Sequence, residues 1–404
     1  MTIDFSPFFA ARVASAPASV FPQYDVPPRY DFDQGMPDPA TYPLGELESY
    51  AKKVLEKDGL ASCGYFGAAG RSEMQYGFLG LRQQIANWIA RRDGRTLLDK
   101  GVLLANGSSA GLSLIANAFL GPGDGAVVEV TTFPYMRMFM ESTGATIFTA
   151  PVDEHGLDVD AVALRLKQMQ DVGLKPKMIY AIPTFHVPTG VLMPLERRKK
   201  LLALAQKWNV LLVEDNCYYE MWYDAPPPPT LFSMDDSGLV IQSDSFSKML
   251  APGVRTGWVA GAPEAIQALA RIRQDLGVGQ FITHVLASWM ADNKLAPHLD
   301  AIRPRYRHKR DAAHAALQKH CAKFVTYRKP EGGIFFWLEL APGIDVAAVR
   351  ERALQQGVAC RPGEKFGSDP DGKGYLRMSF LQVPEEEIER GVAVLGKALA
   401  DYSK

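Results

Sequence analysis

The chain has 404 residues, of which 47% are hydrophobic and 22% charged, and its formal net charge is −1. This length suits two domains, or one large domain with a smaller companion, and easily buries a substantial core. The charge balance argues against a nucleic-acid or polyanion partner, and the longest apolar runs are too short to span a membrane.

The first 45 residues are rich in proline and aromatic residues and show little periodicity, which predicts an extended arm that crosses other structure. Within this arm, Gly35 opens a cluster of turn-forming residues. Helical patterns follow at Leu44–Lys57 and Leu81–Arg92. Tyr76 lies between these helices and, taken alone, is typical of a core or interface aromatic.

From residue 101, continuous apolar runs alternate with helical patterns. Such alternation is typical of a parallel sheet that is buried on both faces, with ligands bound beyond the carboxyl ends of its strands. The predicted strands are Val102–Ala105, Ala126–Val130, Thr146–Ala150, Met178–Ile182, Val210–Val213, Leu239–Gln242 and Trp258–Ala260.

The segment Asn106–Gly111 follows the first of these strands and opens a helix. Ser108 and Ser109 lie at the helix start, where unpaired backbone N–H groups and the helix dipole favour an anion. A serine that merely caps the helix is the alternative. We favour the anion site because a phosphate-binding group is also indicated near Lys248.

Chemically distinctive residues follow the later strands too. Phe133 and Tyr135 come after the second strand, and Val187 and His186 follow the fourth. Asp215 comes directly after a buried strand, where a carboxylate is a helix cap, a member of a buried ion pair or a functional group. We expect a structural role for His186.

The strongest signal lies in Ser243–Trp258, a turn between two predicted strands. Lys248 is preceded by Ser245 and Ser247 and is followed by Arg255. A lysine amine can form a Schiff base with an aldehyde cofactor, while hydroxyls and a guanidinium suit a phosphate group. The alternative is a solvated lysine on a serine-rich loop.

Beyond residue 262 the pattern becomes helical. The basic stretch Arg303–Arg310 is predicted to start a helix with a solvated face that leads to a smaller domain. In the mixed α/β region that follows, Arg377 stands in an otherwise apolar strand. An unpaired guanidinium there is costly, so Arg377 needs an anionic partner, either a ligand or a structural carboxylate.

Taken together, five motifs in the same order resemble the pyridoxal-phosphate-dependent aminotransferase superfamily, class I/II, also described as fold type I or aspartate aminotransferase-like. The resemblance covers nearly the whole chain. It implies an α/β fold with a large domain built on a mostly parallel seven-stranded sheet and a smaller α/β C-terminal domain. The expected boundaries are 1–45 for the arm, 46–295 for the large domain and 296–404 for the small domain.

The resemblance also implies roles for individual residues. Lys248 would hold pyridoxal 5′-phosphate and act as a base, Asp215 would pair with the ring nitrogen, and Tyr218 would bond the 3′-oxygen. Phe133 would stack on the ring, with Tyr135 as its rival. The implied cofactor-binding set is completed by Ser108, Ser109, Ser245, Ser247, Arg255 and Tyr76.

The segment that begins at Gly35 is similar to the 2-aminoadipate and kynurenine aminotransferase branch, in which this glycine lies beside the substrate carboxylate. Arg377 would clamp that carboxylate. Tyr76 would reach the partner's cofactor, which implies an obligate homodimer with shared active sites. The four cysteines show no paired spacing, so we expect a cytoplasmic protein, and the composition leads us to expect no membrane or nucleic-acid partner.

One departure from the family pattern concerns the 3′-oxygen. Val187 stands where the family has an asparagine that donates a hydrogen bond to this oxygen. The expected function is an aminotransferase that acts on an L-amino acid and a 2-oxo acid through a Lys248 Schiff base. Because of Val187, the alternative is a lyase, γ-replacement enzyme, cyclase or oxidase on the same fold. A regulatory module that only binds the cofactor ranks last.

Overall fold

The computed structural model describes residues 3–9, 24–66, 70–367 and 372–402. Its largest sheet contains the seven strands that the apolar runs predict, with small differences at their ends. All neighbours in this sheet are parallel except Gly257–Ala260, which is antiparallel to both of its neighbours. In spatial order the strands are Val102–Ala105, Gly257–Ala260, Val240–Ser245, Leu211–Asp215, Lys175–Ala181, Asp124–Glu129 and Thr146–Ala150.

The central strands of this sheet are buried along almost their whole length. Residues of both faces are therefore removed from water, which is why these strands read as unbroken apolar runs instead of alternating ones. Trp258, one of the largest fully buried side chains among the described residues, lies in the antiparallel strand. The sheet forms the core on which the residues at its carboxyl edge are fixed.

Several helices pack against strands of the large sheet, among them Ser108–Phe119, Val159–Asp171 and Pro263–Ile272. The first predicted helix is longer than the pattern suggests and continues to Cys63, with a break in helical geometry at Asp58. Two helices begin at aspartates, Asp158 and Asp345, whose side chains accept from first-turn N–H groups. The helices are Leu44–Cys63, Ser72–Tyr76, Leu79–Asp93, Ser108–Phe119, Pro134–Ser142, Val159–Asp171, Leu195–Trp208, Leu231–Met234, Phe246–Met249, Pro263–Ile272, Gln280–Ala291, Leu295–His320, Val346–Gln355 and Glu385–Tyr402.

The prediction for the basic stretch was wrong in two respects. The helix begins at Leu295, well before Arg303, because the apolar positions Leu295, Leu299 and Ile302 already face the core. In addition, Lys309 and Arg310 are buried rather than solvated. Lys309 lies 2.8 Å from Asp38, and Arg310 lies 2.5 Å from Asp224, so carboxylates compensate these two charges.

A second, antiparallel sheet of four strands lies in the C-terminal part of the chain. In spatial order these strands are Val325–Thr326, Phe335–Leu340, Tyr375–Ser379 and Arg361–Pro362. The remaining short elements are the hairpin of Val152–Asp153 with Gly156–Leu157, and 3₁₀ turns at Ser6–Phe8, Pro39–Thr41, Asp99–Gly101, Pro252–Val254 and Gly363–Lys365.

The N-terminal arm is joined to this C-terminal region by backbone hydrogen bonds. Tyr30–Asp31 pairs in parallel with Val358–Ala359, and the Ser379 N–H donates to the Phe32 carbonyl at 2.8 Å. Residues 30–32 of the arm therefore lie beside the strands Val358–Ala359 and Tyr375–Ser379. This pairing carries the residues that follow Phe32 to the strands that contain Arg361 and Arg377.

Candidate active site

A cavity of about 520 Å³ opens at the carboxyl edge of the large sheet, a size typical of small-molecule sites. Five of the strands end beside it, and the antiparallel strand begins there, so each delivers the residues of an adjoining loop. The cavity is lined by Ser108, Ser109, Phe133, Tyr135, Phe139, Ile182, Val187, Asp215, Cys217, Tyr218, Ser247, Lys248, Pro252 and Arg255. The structure therefore brings together most of the residues that the sequence singles out.

One wall of the cavity is suited to an anion. Ser108 and Ser109 form the first turn of the helix Ser108–Phe119, whose leading N–H groups have no carbonyl partner within the helix. Arg255 lies beside this turn and donates to the Asn106 carbonyl at 3.0 Å. Gly107 has φ +83°, and a Cβ there would come within 2.7 Å of an Arg255 nitrogen. Glycine suits this position because of its positive φ, and a side chain there would also displace the Arg255 guanidinium.

The two serines before Lys248 have different positions. Ser247 lines the cavity, whereas Ser245 is buried behind it. The Ser245 Oγ donates to the Ser247 Oγ at 2.8 Å and accepts the Ser247 N–H at 3.0 Å, so it caps the short helix Phe246–Met249. In this structure Ser245 supports the serine that faces the cavity.

Lys248 is the amine of the site. Its Nζ donates to the carbonyl of Gly35 and lies 5.9 Å from the centre of the Tyr218 ring. Burial lowers the pKa of Lys248 to about 8, because the charged ammonium loses water on entering the protein. A substantial fraction of the amine is therefore neutral near physiological pH, as a nucleophile or a base requires.

Asp215 supplies a carboxylate at the floor of the cavity. Its Oδ2 accepts from the Tyr180 hydroxyl at 2.8 Å, and its Oδ1 accepts from the Cys217 N–H at 3.4 Å. Burial raises the pKa of Asp215 above its ordinary value. A cation placed against this carboxylate would restore its preference for the ionised form. The sequence reasoning missed Tyr180, although a hydroxyl in an apolar strand indicates a buried partner.

Tyr218 and the preceding residue, Cys217, both line the cavity. The Tyr218 ring meets the ring of Phe335 edge-on, with ring centres 5.8 Å apart. Burial raises the pKa of Tyr218, so its hydroxyl stays protonated and can donate a hydrogen bond. Burial also raises the pKa of the Cys217 thiol. No signal in the sequence indicated this cysteine.

Apolar groups form the remaining wall. Phe133 and Tyr135 both line the cavity, with ring centres 5.5 Å apart, so the geometry supports either ring as a stacking surface. Val187 lines the cavity, and its side chain offers no hydrogen-bond donor. His186 does not line it. The His186 Nδ1 pairs with the Thr189 Oγ1 at 2.8 Å, and its Nε2 lies 3.3 Å from the buried Glu129 carboxylate.

Arg377 and Gly35 lie next to Lys248. The Arg377 guanidinium is 4.3 Å from the centre of the Phe335 ring and 5.0 Å from that of Phe366. One of its terminal nitrogens donates to the Asp33 carbonyl, while its buried Nε has no hydrogen-bond partner among the described residues. Burial lowers the pKa of Arg377 to about 10.

The space above Gly35 is closed. A Cβ on Gly35 would approach Phe335 to 2.8 Å and an Arg377 nitrogen to 3.8 Å. Because the Gly35 carbonyl accepts from Lys248, this backbone bridges the amine and the guanidinium. The arm thereby completes a site with an amine, a carboxylate, an anion-binding helix start and a partly unpaired guanidinium.

Four predicted site residues do not line this cavity. Gly35, Ser245 and Arg377 lie next to residues that do or beside the Lys248–Gly35 contact, whereas Tyr76 lines a separate pocket. Tyr76 ends the short helix Ser72–Tyr76, where the Arg82 guanidinium lies 5.5 Å from the centre of its ring.

Among the described residues, no helix is long and apolar enough to cross a membrane, and no group of side chains could hold a metal ion.

The residues that line the cavity fit pyridoxal phosphate. The helix start with Arg255 suits a phosphate, the carboxylate of Asp215 suits a protonated ring nitrogen, and the amine of Lys248 suits an aldehyde. All three line the same cavity.

Comparisons with known proteins show which family the chain belongs to. Residues 42–395 match the family model described as aminotransferase class I and II. An aromatic-amino-acid aminotransferase 1 from Thermococcus litoralis is 33% identical over 100% of this chain and 96% of its own length.

Two solved structures resemble the whole chain. A kynurenine aminotransferase from Pyrococcus horikoshii, in complex with PMP, has a TM-score of 0.91 at 31% identity over 99% of each chain. LysN, an α-aminoadipate aminotransferase from Thermus thermophilus complexed with N-(5′-phosphopyridoxyl)-L-leucine, has a TM-score of 0.89 at 30% identity, also over 99% of each. The chain therefore belongs to the class I and II aminotransferases of fold type I, and it is a pyridoxal-phosphate-dependent enzyme that transfers amino groups.

Proposed function

We propose that this enzyme exchanges an amino group between an L-amino acid and a 2-oxo acid at a site in which Lys248 holds the cofactor through a Schiff base. The observation that carries this assignment is the shared cavity of Lys248, Asp215 and the start of the helix Ser108–Phe119. The phosphate would lie against that helix start, with Ser108, Ser109, Ser247 and Arg255 around it and Ser245 behind.

Bound pyridoxal phosphate supplies an electron sink for the electrons of a bond broken at the substrate α-carbon. The protein would contribute the proton movements. Lys248, whose pKa burial lowers to about 8, would take the α-proton as a general base and deliver it to the cofactor side. Asp215 would keep a proton on the ring nitrogen, and Tyr218 would donate to the 3′-oxygen.

Substrate binding would rest on Arg377. Its guanidinium is buried, lies next to the Lys248–Gly35 contact and keeps one donor without a partner among the described residues. A planar guanidinium matches a carboxylate in two parallel hydrogen bonds. The backbone of Gly35 would lie beside this carboxylate. Glycine suits this position because a larger residue would collide with Phe335.

The lyase, γ-replacement, cyclase and oxidase alternatives are not favoured, because the relatives that match the full chain carry aminotransferase names. Val187 then tunes an ordinary amino transfer. It supplies no donor to the 3′-oxygen, so this oxygen would retain more electron density and the Schiff base would hold its proton more tightly.

Reduction of the holoenzyme with borohydride tests the assignment of Lys248. Peptide mapping should find the pyridoxyl phosphate on the peptide that contains Lys248. Lys309 provides a control within the same digest, because it is a buried lysine that is already paired with Asp38. A label on Lys309 or on another lysine would show that the cofactor is held elsewhere.

We also propose a homodimer with shared active sites, in which Tyr76 reaches the partner's phosphate. The position of Tyr76 outside its own chain's cavity supports this arrangement. Hybrid dimers test it. A dimer of one Lys248→Ala subunit and one Tyr76→Phe subunit should regain one intact site. The affinity of that site for pyridoxal phosphate should be near that of the wild type. A hybrid that binds cofactor no better than the Tyr76→Phe homodimer would contradict sharing.

Two further proposals concern the domain boundaries and the location of the enzyme in the cell. We place the domain boundaries at 45/46 and 295/296, and crystal structures with and without a bound carboxylate, superposed on 46–295, should show 296–404 displaced as one body.

We place the enzyme in the cytoplasm, in keeping with its four free thiols. Cell fractionation that finds the enzyme outside the cytoplasm would overturn that placement.

A further inference from the structure

Two arginines lie side by side next to the proposed carboxylate site. Arg361 and Arg377 are directly opposite each other on neighbouring antiparallel strands, and both are buried. Like charges in this register repel, and the repulsion is stronger away from water. A buried counterion must therefore compensate them.

Asp33, which the arm brings to these strands, is that counterion. Its Oδ1 lies 2.5 Å from the Arg361 Nε, and its Oδ2 accepts from a terminal Arg361 nitrogen at 3.3 Å. The Tyr24 hydroxyl donates to the same Oδ2 at 2.8 Å. Burial opposes ionisation of Asp33, but the hydrogen bonds and charge of Arg361 bring its pKa below the ordinary value. The carboxylate is therefore ionised and directed to Arg361.

The same carboxylate lies close to Arg377 without pairing fully with it. The Asp33 Oδ1 is 3.8 Å from a terminal Arg377 nitrogen, which donates instead to the Asp33 backbone carbonyl. A movement of about an ångström would give Arg377 a direct charged hydrogen bond to Asp33. The guanidinium would then hold an internal carboxylate where an incoming one is needed.

We propose that Arg361 is a positioning residue that holds the Asp33 carboxylate off Arg377 and so keeps the Arg377 guanidinium open to a substrate carboxylate. This inference rests on the proposed role of Arg377. Because Asp33 pairs with Arg361, the positive charge of Arg377 stays available to a substrate carboxylate. Without Arg361, Asp33 would neutralise Arg377 and compete with the substrate.

Holoenzyme variants test this competition. The probe is 3-phenylpropionate, a carboxylate that has no amino group and cannot react, and its Kd is measured by calorimetry. In Arg361→Met, the Kd and the KM for the amino donor should rise by about tenfold or more, the size expected when a charged hydrogen bond must be displaced. The kcat should change little, since Arg361 does not contact the reacting atoms.

The double variant Asp33→Asn with Arg361→Met gives the decisive comparison. It removes the competing carboxylate as well, so the Kd for 3-phenylpropionate should return close to the wild-type value. A merely structural role of Arg361 predicts no such recovery. Asp33→Asn alone keeps Arg361 and should bind the probe at least as tightly as the wild type, which provides a second test if Arg361→Met fails to fold.

Arg310→Met is the matched control, because Arg310 is also buried and pairs with a carboxylate, Asp224, at 2.5 Å. It should lower Tm and leave the Kd for the probe unchanged. An unchanged Kd in Arg361→Met, or a double variant that binds as poorly as Arg361→Met, would overturn the inference. If the wild type and Arg377→Ala bind the probe equally, the role of Arg377 itself fails.

Discussion

Replacing Lys248 by alanine is expected to abolish amino transfer. General base catalysis alone contributes up to about 10⁴-fold, and the anchoring of the cofactor would be lost with it. Among the described residues that line the cavity, Lys248 is the single lysine, so no neighbouring amine could replace it. Steady-state kinetics with a series of amino donors measures the loss.

The control for this variant is Lys200→Ala, which removes an exposed lysine paired with Asp160 and should leave kcat unchanged. Addition of a small primary amine such as methylamine should restore part of the activity of Lys248→Ala, because it can accept the α-proton from within the vacated space. Turnover near the wild-type rate without added amine would rule out the assignment.

Replacing Asp215 by asparagine is the change with the second largest expected effect. The amide keeps the shape of the side chain but cannot hold a proton on the ring nitrogen by charge. Breaking a buried charge pair costs about 3–5 kcal/mol, which corresponds to a loss of kcat of roughly a hundredfold to a few thousandfold. Single-turnover rates separate this loss from changes in cofactor affinity.

Tyr180→Phe is the matched control for Asp215→Asn. It removes the hydroxyl that donates to the Asp215 Oδ2 and leaves the carboxylate in place. The expected loss is about tenfold, the lower end for one hydrogen bond to a charged group, and so smaller than that of Asp215→Asn. If Tyr180→Phe is as damaging as Asp215→Asn, then the geometry of the hydrogen-bond network matters more than the charge of Asp215.

The strands of the large sheet were predictable because the apolar pattern of each strand is local in sequence. Each buried parallel strand is a short apolar run bounded by helical patterns, so all seven strands appear in the sequence near their observed positions. The same holds for residues that directly follow a strand, such as Asp215 and Ser108. The parallel arrangement then places them at one edge, where they line one cavity.

Contacts between distant segments were not predictable in this way. Asp33 and Arg361 are separated by 328 positions, and no local pattern couples them. The strand pairing of Tyr30–Asp31 with Val358–Ala359 has the same character. The start of the helix at Leu295 was mispredicted for a different reason, because the apolar positions that face the core precede the basic stretch from which the helix was predicted.

The surroundings of Arg377 were predictable only in part. The sequence indicates that a guanidinium in an apolar strand needs an anion, and the structure shows that Asp33 satisfies it only in part. A terminal nitrogen of the same guanidinium lies near Gly35, whose carbonyl accepts from the amine of Lys248. The strand pattern alone predicts neither the contact of Arg377 with Asp33 nor the Arg377 donor that has no partner among the described residues.

The most direct test of amino transfer at this site is a single half-reaction. The holoenzyme is mixed with one L-amino acid at a time, without an acceptor, and the products are quantified. The expected result is one equivalent of 2-oxo acid per site, with pyridoxamine phosphate left on the protein. Repeated formation of oxo acid with oxygen consumption, or turnover that yields no oxo acid, would contradict an aminotransferase.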